Sequence, residues 1–394
     1  MKRTLVALLL VLALSLGLCL SNAEEQAAGP QPTLLMTIDD AEVWLSDIQN
    51  IAYQLYMYGY AESMYDYLQA LDYWLMSSVA AQVLAGPKAE ELLKDSYAQL
   101  KQDYETEFDS YVEEYAQSLF EEGDSEETKA AKRQQAIAEY AAEGLERDSY
   151  TYRSLALDAM EVLLADVIAQ PTDEDIQALY DEYVATHKSY FENNVALYEY
   201  YTMMNGYDSY YVPAGYRSVL HILLDVEEEL KTAYTSAAPE EKEAAGQAMI
   251  DANREKLDAI YLALEEGAQF QDLIAQYNTD PGMKDEATLQ EGYPVHSQSA
   301  VYAQEFTDGA FSSEMQKPGD VSKPIPSQFG VHVMYYLKDI PEGAVELTDA
   351  MKERLSINVA ARNRQNYLIS ELKKHEITYT DAYSSVITQP NILQ

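Results

Sequence analysis

The sequence predicts an α+β protein, a mostly helical chain with one short-stranded module inserted before a last long helix. Three observations carry this. From Val43 to about Asn205, apolar residues recur at helical spacing with little interruption. Two short apolar runs, Arg217–Asp225 and Val331–Leu337, read as strands, and each holds one histidine, His221 and His332. Leu347–Lys374 then returns to helical spacing, with Met351, Leu355, Ile357, Val359, Tyr367, Leu368 and Leu372 as apolar positions. That apolar face needs a partner, and the nearest helical surface is the N-terminal part. The two are therefore expected to form one discontinuous domain.

The chain has 394 residues, 67 acidic and 26 basic, for a net charge of −41. Nucleic acid and anionic membrane surfaces would repel it, which argues against either as partner. Met1–Ala23 reads as a secretory signal: Lys2 and Arg3, then apolar Leu5–Leu20, then Ser21-Asn22-Ala23 before Glu24. Cys19, the single cysteine, lies inside it. Lipid anchoring there is the less favoured reading, because Leu18 stands where a small residue is usual. Cleavage near Ala23 leaves a chain without cysteine, hence without disulfides or thiol chemistry. The expected location is extracytoplasmic, either secreted or in the cell envelope.

Residues 24–35 read as a flexible leader. Met36–Asp40 reads as a short strand or turn, with Asp39 or Asp40 capping a helix that carries Val43, Trp44, Ile48 and Ile51. A helical domain then spans 36–205, punctuated at Gly86-Pro87, Gly123-Asp124-Ser125, Asp148-Ser149 and Pro171-Thr172-Asp173. Ser125 fails the capping-box pattern, because Thr128 follows it where Glu or Gln is required; Thr172 marks a stronger helix start. The 34 tyrosines against 7 phenylalanines suit helix interfaces with hydroxyls in water, and a minority suit contact with unfolded polypeptide.

Met203–Gly215 is linker-like in composition. The stranded module spans 213–340. Its first strand is followed by a long helical region broken at Pro239, a helix at Phe270–Tyr277 and a short helix ending at Phe311. A strand at Val321–Pro324, a turn at Gln328-Phe329-Gly330 and the His332 strand complete it. Residues 345–380 supply the last helix and a short strand at Ile377–Tyr379, and 384–394 read as a tail.

Four pieces of the module, in order, resemble the parvulin family of peptidyl-prolyl cis/trans isomerases. They are SVLHILLDV from Ser218, GAQFQDLIAQYNTDPG (Gly267–Gly282), EFTDGAFS (Glu305–Ser312) with Pro318–Pro324, and SQFGVHVMYYL from Ser327. The flanks, TDEDIQALYDEY from Thr172 and ELKKHEITYT from Glu371, resemble the extracytoplasmic foldases of the PrsA and SurA type. The resemblance implies a small four-stranded antiparallel sheet surrounded by helices, inserted into a helical chaperone domain. It implies isomerisation of Xaa-Pro bonds in unfolded or partly folded exported polypeptides, with no cofactor; dimerisation is left open.

The same resemblance places His221 and His332 back to back, sharing a hydrogen bond. Asp280 falls where the family carries Cys or Asp near the substrate carbonyl, and Ser327 at the hydroxyl position beside the histidines. Phe306 would be the floor of a proline pocket, with Tyr302, Phe311 and Phe329 nearby. Read without the family, the histidines are satisfied core residues, Phe306 and Phe311 pack a helix on the sheet, and Asp280 caps the turn before Pro281-Gly282. His187, His296 and His375 have no metal-site spacing. The sequence also departs from the family. Leu220 replaces an arginine, Glu291–Val295 keeps one glycine of a glycine-rich turn, Tyr302 replaces a frequent methionine, and Glu227–Ile250 is inserted. These departures motivate two alternatives: a catalytically weak or inactive chaperone that only binds unfolded clients, and a scaffold that keeps the fold alone.

Overall fold

The computed structural model describes residues 33–142 and 144–394, so the signal sequence, Cys19 and most of the leader lie outside the described residues. Its strands are β1 (Leu34–Ile38), β2 (Ala41–Trp44), β3 (Tyr211–Val212), β4 (Tyr216–Leu224), β5 (Tyr293–His296), β6 (Ile325–Ser327), β7 (Gly330–Asp339), β8 (Gly343–Ala344) and β9 (Ile377–Tyr379). Contacts divide the chain into two units, one ending at Pro171 and resuming at Ser356, the other Thr172–Leu355.

In the first unit, β1 pairs antiparallel with both β2 and β9. Asp39 and Asp40 are therefore not helix caps. They turn the β1–β2 hairpin, with Asp39 at φ +48°, and Val43 and Trp44 lie in β2 before the helix begins at Leu45. An Asp-Asp turn and an N-cap are alike in sequence, because both exploit a short carboxylate hydrogen-bonding nearby backbone. Met36, Ile38, Ile48, Leu71, Leu75, Met160, Leu368 and Leu372 share one buried core. Phe108, Tyr140 and Tyr150 form a second, between the helices Tyr97–Ser118, Glu126–Ala142 and Arg147–Val167. Ser125 does cap its helix, its Oγ accepting from the Thr128 N–H at 3.1 Å.

Residues 384–394 are not a loose tail. A short helix, Asp381–Val386, leads to buried Ile387 and Leu393, and the Ile392 N–H donates to Asp72 at 2.8 Å. One helical turn and two separated apolar residues give no periodicity to read from sequence.

In the second unit, Thr172 caps the helix Asp173–Phe191, its Oγ1 accepting from the Asp175 N–H at 3.2 Å. The linker-like 203–215 stretch contains β3, which pairs with β8. The four-stranded sheet is antiparallel in the order β5-β4-β7-β6. Its edge strands carry Pro294 and Pro326, which the interior of a sheet would not tolerate. Val321 makes a single bridge to Tyr335, and the last edge strand starts only at Ile325, since Pro324 has no N–H to donate.

Alternation along β4 and β7 gives the sheet two apolar faces. Leu220, Ile222, Leu224, Val331 and Val333 pack under the helices Arg254–Glu265 and Phe270–Tyr277. Val219 and Met334, on the other face, pack with Phe306. The inserted segment folds as Glu228–Ser236 and Lys242–Ala252, broken at Pro239 as expected. A further break at Asn253 is fixed by its side-chain amide donating to the Asp225 carbonyl at 3.1 Å.

Candidate active site

His221 lies opposite Met334 and His332 opposite Leu223 in the β4–β7 ladder. The two histidines are thus diagonal neighbours on one face, within reach of each other. Their Nδ1 atoms are 3.1 Å apart and both rings are buried. The Nε2 of His221 is 3.1 Å from Asp280 Oδ2, and the Nε2 of His332 is 2.7 Å from Ser327 Oγ.

A carboxylate only accepts, so His221 Nε2–H donates to Asp280. With one proton on each ring, His221 Nδ1 then accepts from His332 Nδ1–H, and His332 Nε2 accepts from the Ser327 hydroxyl. Ser327 Oγ in turn accepts from the Phe329 N–H at 3.1 Å. The chain Ser327–His332–His221–Asp280 has one direction throughout.

Its electrostatics agree with this assignment. The hydrogen bond from His221 holds the Asp280 carboxyl well below the usual carboxylate range, against the opposing effect of burial. Burial first, then the neighbouring His221, pulls His332 down to about 3, so its ring is neutral at ordinary pH. Asp280 Oδ2 also accepts from the Met283 N–H at 3.1 Å, so it both caps the turn and holds the histidine.

Phe306 lies edge-on to both imidazoles, at 5.1 Å from His221 and 5.4 Å from His332. It comes from the helix Gln304–Ala310 and is 5% exposed, because Tyr302 stacks on it at 5.2 Å. Phe311 and Phe329 stand apart from this group. Phe311 packs on the same apolar cluster, but its ring meets the Arg217 guanidinium at 4.0 Å, and Arg217 also donates to the carbonyls of Ala310 and Met315. Phe329, at the β6–β7 turn, is 53% exposed. Six of the eight residues singled out from sequence therefore form one cluster.

Residues 221–338 match the Rotamase family, described as the PPIC-type PPIASE domain. The chain carries a PPIC-type PPIase domain. Both histidines, Asp280, Tyr302, Phe306 and Ser327 fall inside it. No curated protein matches the chain. Among solved structures it is similar to PrsA from Bacillus subtilis, at 15% identity over 76% of this chain and 92% of that one, with a TM-score of 0.22. It is similar to the peptidylprolyl isomerase PrsA from Bacillus anthracis, at 18% identity over 71% and 95%, with a TM-score of 0.21. A structure described with the SurA-like chaperones of Campylobacter jejuni gives 18% identity over 69% and 95%, with a TM-score of 0.25.

The PPIase domain adds one residue that sequence reasoning passed over. Tyr293, read only as part of a disrupted glycine turn, donates its hydroxyl to Asp280 Oδ2 at 2.9 Å and lies 5.5 Å from the His221 ring. Gly292 makes this possible. Its φ is +72°, and a Cβ there would meet Ser218 Oγ at 2.2 Å, so the chain can turn Tyr293 inward only with glycine before it. Among the described residues no group of three or more His, Cys, Asp or Glu side chains is arranged to hold a metal.

Proposed function

We propose that the chain is an exported prolyl cis/trans isomerase and chaperone that acts on unfolded or partly folded polypeptides. The observation that carries the isomerase reading is the directed chain Ser327–His332–His221–Asp280 ending against Phe306. Rotating an Xaa-Pro bond breaks no covalent bond. The barrier of about 18–20 kcal/mol is the loss of amide resonance, so a catalyst has to bind the twisted amide better than either planar form.

The cluster supplies what that requires. Phe306 offers an apolar surface for the proline ring, and Tyr302 has to swing aside to admit it. The imidazole pair, with fixed tautomers, holds Asp280 as a carboxylate beside the amide, where it favours the twisted form with a localised lone pair on nitrogen. Ser327 and Tyr293 keep that wall from turning. Export rests on the Met1–Ala23 segment, and client binding on the flanks' resemblance to the PrsA and SurA type.

The test is exchange NMR on a short Xaa-Pro peptide with the full chain and with the double variant His221→Ala/Phe306→Ala. Acceleration by the wild type that is lost in the folded double variant is the expected result; full activity in that variant sinks the assigned site. A second reading, a client-binding chaperone with weak isomerase activity, is favoured by the small exposure of Phe306 under Tyr302. It expects no acceleration by folded wild type, together with suppression of client aggregation.

A further inference from the structure

Outside the matched domain, on the short helix Val195–Glu199, one carboxylate is buried: Glu199 is 1% exposed. Burying a charge is costly unless its oxygens are satisfied. Both are. Oε1 accepts from the Tyr216 hydroxyl at 3.2 Å and Oε2 from the Ala300 backbone N–H at 3.1 Å. Each donor is neutral, so no cation shares the site through these bonds.

The helix is fixed in turn by its surroundings. Tyr198 packs on Tyr216 at 5.3 Å, and Phe191 packs on Tyr198 at 5.6 Å. Tyr216 opens β4, the strand that carries His221.

Ala300 is two residues before Tyr302, in the loop between β5 and the helix that bears Phe306. That loop has little regular structure of its own: a turn bonds the Ser299 N–H to the His296 carbonyl at 2.9 Å. The carboxylate acts on the phenols nearby as well. Burial first, then the charge of Glu199, pushes the hydroxyls of Tyr216 and Tyr302 up.

We propose that Glu199 is a positioning residue for the proline pocket: by holding the Ala300 N–H it fixes the loop that presents Tyr302 to Phe306. This rests on the isomerase reading above, and it assigns a residue outside the catalytic domain to that domain's substrate pocket. Tyr302 can turn its ring aside to admit a proline ring while its backbone stays anchored, so only that side chain has to reorder on binding. Loss of the anchor weakens binding of the proline ring and leaves the His221–Asp280 wall intact. The effect falls on KM, with kcat little changed.

The test uses the full chain with Glu199→Ala, Glu199→Gln and Tyr302→Ala, assayed by exchange NMR on an Xaa-Pro peptide. Glu199→Gln keeps an oxygen for the Ala300 N–H and an amide that donates to the Tyr216 oxygen. Expected are a KM raised about tenfold or more in Glu199→Ala with kcat within about twofold, recovery in Glu199→Gln, and no further effect of Glu199→Ala once Tyr302 is Ala. An unchanged KM in folded Glu199→Ala, or additive effects with Tyr302→Ala, overturns the proposal.

Should Glu199→Ala fail to fold, Ala300→Pro removes the donor and keeps Glu199, while also fixing φ at that position. It is expected to raise KM alike, and an unchanged KM there is equally fatal. A ring-labelled Tyr302 signal separates this proposal from the isomerase reading. If wild type is inactive, that reading falls, yet the signal still has to shift and broaden in Glu199→Ala and not in Glu199→Gln. An unmoved signal overturns the positioning role whatever the activity.

Discussion

At the scale of a single residue, His332 makes the stability of the second unit depend on pH. Its folded pKa is pulled to about 3, chiefly by burial, against about 6.5 for a free imidazole. The unfolded chain therefore takes up a proton below pH 6.5 that the folded chain does not. The stability this contributes is present above pH 6.5 and is lost as pH falls towards 3, at up to about 1.4 kcal/mol per pH unit. Asp280 adds a loss of the same sign further down, because its lowered carboxyl pKa favours the folded state in full above the ordinary carboxylate value near 3.9 and progressively less below it. Hydrogen exchange at the β4 and β7 amides between pH 7 and 4.5 is expected to show this loss, and His332→Gln to flatten its slope. An identical slope in His332→Gln would mean that other groups carry the acid sensitivity.

At the scale of elements, the β6–β7 turn depends on Gly330. Its φ is +142°, and a Cβ would lie 2.3 Å from the Leu224 carbonyl oxygen. Gly330→Ala is expected to cost about 1–3 kcal/mol in chemical denaturation. Gly319→Ala, at φ +99° with open space around it, is expected to cost nearer 1 kcal/mol. Equal costs would show that backbone conformation, not the Leu224 contact, is decisive. Such contrasts explain what was legible in the sequence. The strands of His221 and His332 announce themselves because each is an apolar run with β-branched residues and one imidazole, and a turn fixes the end of the second. The hairpin of β1 and β2 does not, because four-residue strands around Asp-Asp imitate a capped helix. Tyr293 was hidden for a different reason: its role depends on Asp280 arriving from another loop. The inserted helices likewise give no local sign of their seat, where the Tyr234 hydroxyl donates to the Pro326 carbonyl at 3.0 Å and Gly246 admits the Pro326 ring.

At the scale of the whole molecule, the first unit is assembled from both halves of the sequence. β9 pairs with β1 through Met36–Tyr379, Thr37–Thr378 and Ile38–Ile377, so the last strand covers an edge that otherwise stands open. Beyond it, Tyr383, Ile387 and Leu393 add to the core that holds Met36 and Leu71. The second unit spans Thr172–Leu355. Truncation after Lys374 removes β9 and the buried C-terminal residues and is expected to destabilise the first unit alone. Both tryptophans, Trp44 and Trp74, lie in that unit, so intrinsic tryptophan fluorescence reports its unfolding and not that of the PPIase domain. Burial of Ile387, Leu393 and Tyr383 at about 1.5–3 kcal/mol each makes the loss several kcal/mol, enough to shift the urea midpoint strongly. Exchange catalysis by the truncated chain is expected to stay within about twofold of the full chain, since no pocket residue or pocket support is removed. An unchanged fluorescence midpoint would show that the C-terminal residues are dispensable to the first unit. A loss of catalysis would show that the two units are energetically coupled despite separate cores.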